Sequence, residues 1–269
     1  MITGLAAENR ELARAAAKLH RRRDQLVAEG LTARAVTFTT ADPGHDLVRL
    51  AAEQEVDLVL LDGRRPLLGE GVPRGPVGTV LLHAPCDVAV LVEREAGTLA
   101  VGPDRPVLVP FGGAEHDWAA LELGAWIAGA LGAPLRLLGA AADLAEGQRD
   151  ASRLLGNASL VLQQLAGIAA EPVLVEPGRE GVLRAAAGAG LLVVGLSERW
   201  RAEGLGPTRS RIARAAPAPT LFVRRGTRRG ALAPRDDLTR FTWSTAGAPA
   251  DRPAAPGPGT PAGGEPAGP

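Results

Sequence analysis

Apolar residues are arranged along the chain in two rhythms. Short unbroken runs recur: "DLVLLDG" at 57–63, "CDVAVLV" at 86–92, "PVLVPF" at 106–111, "PLRLLGA" at 134–140, "LLVVGLS" at 191–197 and "APTLFVR" at 218–224. Runs of this length, closed by Gly or Pro, read as strands of a parallel sheet buried on both faces. Between them, apolar positions repeat every three or four residues, which is the signature of helices with one face on a core. The pattern predicts strands at 33–39, 57–62 and 86–92, and again at 106–111, 134–140, 171–176, 190–195 and 218–224. It predicts helices at 5–29, from 42 onward, and near 115–131, 148–167, 178–188 and 207–215. Strands alternating with helices imply a parallel α/β sheet with right-handed crossovers.

The chain repeats itself at a shift of 132. "HAPCDVAVLVE" at 83–93 returns as "AAPAPTLFVRR" at 215–225, Pro85 matches Pro217, and Gly63 matches Gly195. Upstream, "DPGHDLVRLAAEQEV" at 42–56 resembles "EPGREGVLRAAAGAG" at 176–190. Each opens with an acid and a proline, so Asp42 and Glu176 are expected as helix caps, with Asp the better one. The repeat is unequal. The helix at 5–29 matches the second helix of the later copy, so the earlier copy has no counterpart of the first strand, first helix and second strand. In a doubly wound sheet the first strand is central, and without it the strand at 33–39 has no natural neighbour beside 57–62. The expected units are an incomplete one at 1–97, a complete one at 104–226, and a Pro/Gly/Ala-rich tail at 227–269 expected to be disordered. An aromatic island at 232–244, "LAPRDDLTRFTWS", interrupts the tail, and its plainest role is to pack back on the chain.

Composition narrows the function classes. The 269 residues carry 30 basic and 30 acidic side chains, for a net charge of zero. No electrostatic grip on nucleic acid follows from that. The longest apolar stretch, "LGAWIAGALGAPL" at 123–135, is short of the ~20 residues needed to span a bilayer, so direct membrane insertion is not expected. One cysteine, Cys86, and no visible signal peptide suggest a soluble, cytoplasmic chain.

Two copies ending in a glycine loop, a short helix and "HAPC-x-VAVLV", together with "VLVPFGGAEHDWAALELGAWIAGALGAPLRLL" at 107–138, resemble the universal stress protein family in tandem form, over roughly residues 5–225. The resemblance implies a Rossmann-type α/β fold whose last strands, 86–92 and 218–224, pair across a pseudo-twofold. In members of that family that bind ATP, an Asp ends the first strand and a loop of the form G-x2-G-x9-G-[ST] cradles phosphate. Glycines there let the backbone approach the phosphate, and the following helix offers unpaired N–H groups. Carried onto this chain, the pocket would consist of Pro110, Gly112, Val194, Gly195, Gly206 and Thr208. The pattern is eroded. Gly112 stands where the Asp belongs. Glu198 replaces the second glycine and brings a negative charge. Pro207 replaces the Ser/Thr and removes a donor. In the first copy Gly63 survives, Pro66 takes the second position, and Arg74-Gly75 replaces Gly-Ser. These departures favour turns of an inherited scaffold over a working nucleotide site. No cofactor is expected, and ATP is the ligand to test.

Other constellations point to structure. His83 and Cys86 share one turn but lack the further ligands a metal needs. In "DPGHD" at 42–46 capping explains the aspartates. His116 and Asp117 begin a helix, where such residues are commonly solvated. Trp118 and Trp126 share nearly one helical face and read mostly as core. No catalytic residues are assigned. The function this implies is a non-enzymatic regulatory or sensory module, since similar tandem modules occur as cytosolic C-terminal parts of bacterial cation/proton antiporters. Its expected partner is such a transporter or a second copy. The alternative is a stand-alone ATP-binding stress protein.

Overall fold

The computed structural model describes residues 2–63, 71–93, 99–142, 150–227 and Leu232. Two helices come first: α1 (Ile2–Ala28) and α2 (Pro43–Glu53). Then follow β1 (Leu58–Asp62), α3 (Gly75–His83) and β2 (Asp87–Val92). The second half runs β3 (Val107–Pro110), α4 (Glu115–Leu131), β4 (Leu135–Ala140), α5 (Ser152–Ala166), β5 (Ala170–Val175), α6 (Arg179–Ala185), β6 (Leu191–Gly195), α7 (Trp200–Glu203), α8 (Gly206–Ala215) and β7 (Thr220–Arg224). All seven strands form one sheet in the order β1-β2-β7-β6-β3-β4-β5. Every adjacent pair is parallel except β2 and β7.

The β2–β7 ladder is self-complementary. Val90 faces Phe222, residues 132 apart in the chain. Val88 faces Arg224 and Val92 faces Thr220, so the matched pairs exchange partners about that centre. This is an isologous contact within a single chain, and it pairs the two strands that the sequence repeat singles out. Arg224 secures it. Its guanidinium is buried and donates to the carbonyls of Val80, Ala84 and Cys86 at 3.3, 2.9 and 3.2 Å, at the C-terminal end of α3. A cation there meets the Ala84 and Cys86 carbonyls just past the helix end, and shares the Val80 carbonyl with the Ala84 N–H. One apolar cluster then runs through both halves, with Leu81, Val88 and Val90 from the first and Leu192, Ile212 and Phe222 from the second.

Several local expectations need correction. Residues 33–39 form no strand; Val36 and Phe38 are 71% and 45% exposed. β1 is the last strand of the sheet and pairs with β2 alone, so residues 33–39 add no ladder to its outer edge. Extended backbone without a partner is not a ladder. Asp42 does cap α2, accepting from His45 N at 3.2 Å, and that bond holds its carboxyl below the usual range. Glu176 caps nothing: α6 starts at Arg179 with Gly178 at the cap position, and Glu176 instead accepts from Arg184 Nη1 at 2.7 Å. Trp118 is core, edge-on to Phe111 at 4.9 Å, whereas Trp126 is 50% exposed. Of the aromatic island, Leu232 is buried, its N–H 3.4 Å from Glu122 Oε2 on α4; the rest lies outside the described residues. Among the described residues no helix is long and apolar enough to cross a membrane.

Candidate functional site

β3 is the switch point of the sheet. The chain leaves it toward β4 and β5, then crosses back to β6 on its other side. Crevices in doubly wound sheets open at such points, beyond the C-terminal ends of the strands. Here one of about 390 Å³ opens between the β3–α4 turn, the ends of β4, β5 and β6, and the start of α8. Its floor is apolar, with Leu138, Val175, Val194 and Ile212. Of the residues expected from the sequence, Pro110, Gly112, Val194, Gly195 and Thr208 line it together. Gly206 does not; it is the first residue of α8, with φ at +68°. Pro66 lies outside the described residues, and Arg74 and Gly75 simply begin α3, without a side-chain cap.

The polar wall is made by residues that the sequence reading left to solvent. Asp117, third residue of α4, is buried and reaches back over the turn. Its Oδ2 accepts from Gly112 N at 3.0 Å and from Ala114 N at 3.1 Å. Ala114 has no side chain with which to cap the helix, so the carboxylate three residues on takes up the turn's own N–H groups, one half of a capping box. A Cβ on Gly112 would come within 3.3 Å of that oxygen. An aspartate at 112 would therefore set two carboxylates against each other.

His116 and Arg209 close the other side. Arg209 Nε donates to Gly195 O at 2.7 Å, and its Nη2 lies 3.1 Å from His116 Nε2. The same nitrogen is 3.4 Å from Asp117 Oδ1. Burial pushes the His116 imidazole below its ordinary value; Asp117 pulls it up and Arg209 pushes it further down. Burial likewise lowers Arg209, with Asp117 opposing. Helix α4 sits so close on β6 that a Cβ at Gly195 would lie 2.3 Å from His116 O, so only glycine fits there. Glu198 does not enter the crevice; it is 69% exposed and pairs with Arg201 at 3.3 Å. One signal for these residues was present in the sequence, the acid at the third helical position after an alanine. The approach of Arg209 to His116 had none, since they stand 93 residues apart.

The first half is built differently among the described residues: its crevice, of about 310 Å³, lies at the start of α3 and is lined by Arg74, Gly75, Thr79 and His83 with Trp200 and Arg201. Val59 faces Val88, while Leu192 faces Thr220. Val88 and Thr220 are matched at 132, so β1 is displaced by one further residue relative to β6. Asp62, not Gly63, therefore stands in the place of Gly195. Asp62 is exposed, so glycine is not required there. Among the described residues no group of three His, Cys, Asp or Glu side chains could hold a metal ion.

Sheet order, the crevice at the switch point and helices on both faces define a doubly wound α/β protein. Its fold is that of the universal stress proteins. The chain is similar to a universal stress protein from Archaeoglobus fulgidus DSM 4304, at 18% identity over 80% of this chain and 79% of that one, with a TM-score of 0.56. Weaker likenesses, both with TM-scores of 0.47, are to a Pseudomonas aeruginosa UCBPP-PA14 protein named provisionally as a universal stress protein and to a functionally unknown protein from Pseudomonas aeruginosa PAO1. They are 19% and 18% identical, over 78% of this chain in each case and over 78% and 77% of the other. No family model matches the sequence, and no curated protein does.

Proposed function

We propose that this chain is a non-enzymatic regulatory or sensory module of universal stress protein type. It is built from tandem units, the first lacking its opening strand, helix and second strand, and its nucleotide site has eroded. The observation that carries this reading is the occupation of the turn's donors. Gly112 and Ala114 give their N–H groups to Asp117. A triphosphate needs free backbone donors at such a turn, and an already bound carboxylate both removes them and repels it. The role in view is cytosolic and stress-related: part of a cation/proton antiporter, with the transporter or a second copy as partner.

The alternative, a stand-alone ATP-binding stress protein, is supported by the crevice itself, which keeps Gly195 and an ordinary ligand-sized volume. Calorimetric titration with ATP and Mg²⁺ separates the two. The expected result is no saturable heat at millimolar nucleotide. Tight one-to-one binding would favour the alternative.

A further inference from the structure

We propose that the crevice of the second half takes up a small oxyanion at Arg209 together with a proton at His116. Two features of the geometry lead there. The first is the environment of Arg209. Its guanidinium lines the crevice and is half-buried, yet among the described residues no carboxylate lies within 4.0 Å of it; its hydrogen-bond partners are Gly195 O and His116 Nε2. Asp117 attracts it from beyond contact distance, so no acid touches the guanidinium, and a ligand oxyanion can supply that direct charged hydrogen bond.

The second feature is that one nitrogen of His116 has two mutually exclusive partners. Arg209 is a donor only. In contact with it, Nε2 must accept, which places the neutral ring's proton on Nδ1. Asp117 Oδ1, 3.4 Å from the same Nε2, is an acceptor only. When a solvent proton adds to Nε2, that atom can no longer accept from Arg209 and becomes a donor to Asp117. The guanidinium loses one partner, faces a new positive charge, and turns its Nη groups to the crevice. The charged groups around the ring are Glu115 and Asp117 on α4, Glu198 after β6 and Arg209 on α8. Glu115 and Glu198 are held outside by Arg225 and Arg201. Asp117 is therefore the acid that receives the new donor.

The apolar floor of Leu138, Val175, Val194 and Ile212 fits the uncharged body of the ligand. A carboxylate and a phosphate or sulfate share the chemistry that Arg209 reads. This inference rests on the regulatory reading of the crevice and supplies its ligand class.

The test uses sodium sulfate and sodium benzoate as separate probes on the full chain. Ionic strength is held with chloride, and the His116 ring is followed by NMR with H116Q for assignment. Affinity is expected to be about tenfold higher well below the ordinary imidazole value than near pH 8, because burial holds the His116 midpoint low. By reciprocity, saturating anion raises the titration midpoint of His116 by the matching amount. Benzoate binding alone identifies a carboxylate ligand; sulfate binding alone identifies a phosphate-like one. H116Q is expected to bind without pH dependence, and R209Q not to bind. Should R209Q fail to fold, R209K keeps the charge without the fork and is expected to bind more weakly with the pH dependence retained. Equal affinity at both pH values, or binding unaffected at Arg209, overturns the proposal. The titrations contain no nucleotide. Tight ATP binding in the calorimeter would end the regulatory reading while the proton linkage is still read from sulfate.

Discussion

β6 and β1 are written in nearly the same letters, "LLVVG" and "LVLLD", and end in opposite surroundings. Every residue of β6 is buried, between β7 on one side and β3 on the other. β1 pairs with β2 alone, and Leu60 on it is 62% exposed, while Val193, the residue at the same place in β6, is fully buried. Apolar content therefore does not fix burial here. A neighbouring strand and the helix that follows it do, because they cover the open ladder and the face above it. The same two elements, β3 and α4, bring Gly112, His116 and Asp117 to the crevice. The crevice at the switch point stands on the same two elements that bury β6, and half-buried β1 has neither beside it.

The comparison can be broken most sharply at the matched pair Gly195 and Asp62. Gly195→Asp would drive a side chain into the backbone of His116, and a loss of more than ~3 kcal/mol is expected in urea melts. Asp62→Ala, at the exposed end of β1, should cost about 1 kcal/mol or less. Arg224→Met comes next. It strips the carbonyls at the end of α3 of their donor, and about 2 kcal/mol should be lost in the same melts. Val193→Thr and Leu60→Thr sharpen the contrast between strands. The buried hydroxyl should cost roughly 1–2 kcal/mol, and thermal melting should find the exposed substitution nearly neutral.

The smallest effect is one of pH. The folded-state pKa of His116 is lowered by burial. Above the unfolded value of about 6.5 both states are neutral and stability is at its full level. As pH falls from there toward the folded value, the unfolded chain binds the proton first, so stability declines across that window. H116Q should flatten the decline, measured as urea midpoints against pH.

The second half was legible in the sequence almost residue by residue. β3, β4, β6 and β7 each lie within a residue or two of the runs that announced them, because continuous apolar runs alternating with helices pack as a buried parallel sheet. β5 lies one residue from its expected span. The antiparallel pairing of β2 and β7 follows the repeat. What escaped depends on absent or distant neighbours. Residues 33–39 carry strand composition, but a strand exists only with a partner. The register of β1 slipped by one because Gly63 was matched as a letter, whereas the ladder aligns Asp62 with Gly195. His116, Asp117 and Arg209 were passed over singly; their meaning lies in a contact between the start of α4 and the start of α8. α7, a single turn, has too little periodicity to show.

The central claim is that the N–H groups of Gly112 and Ala114 are consumed by Asp117 before any ligand arrives. Amide hydrogen exchange at those two positions, with and without Mg²⁺-ATP, tests it directly. Slow exchange that nucleotide leaves unchanged and that Asp117→Ala releases is the expected result. Fast exchange in the free chain, slowed by nucleotide, would contradict it.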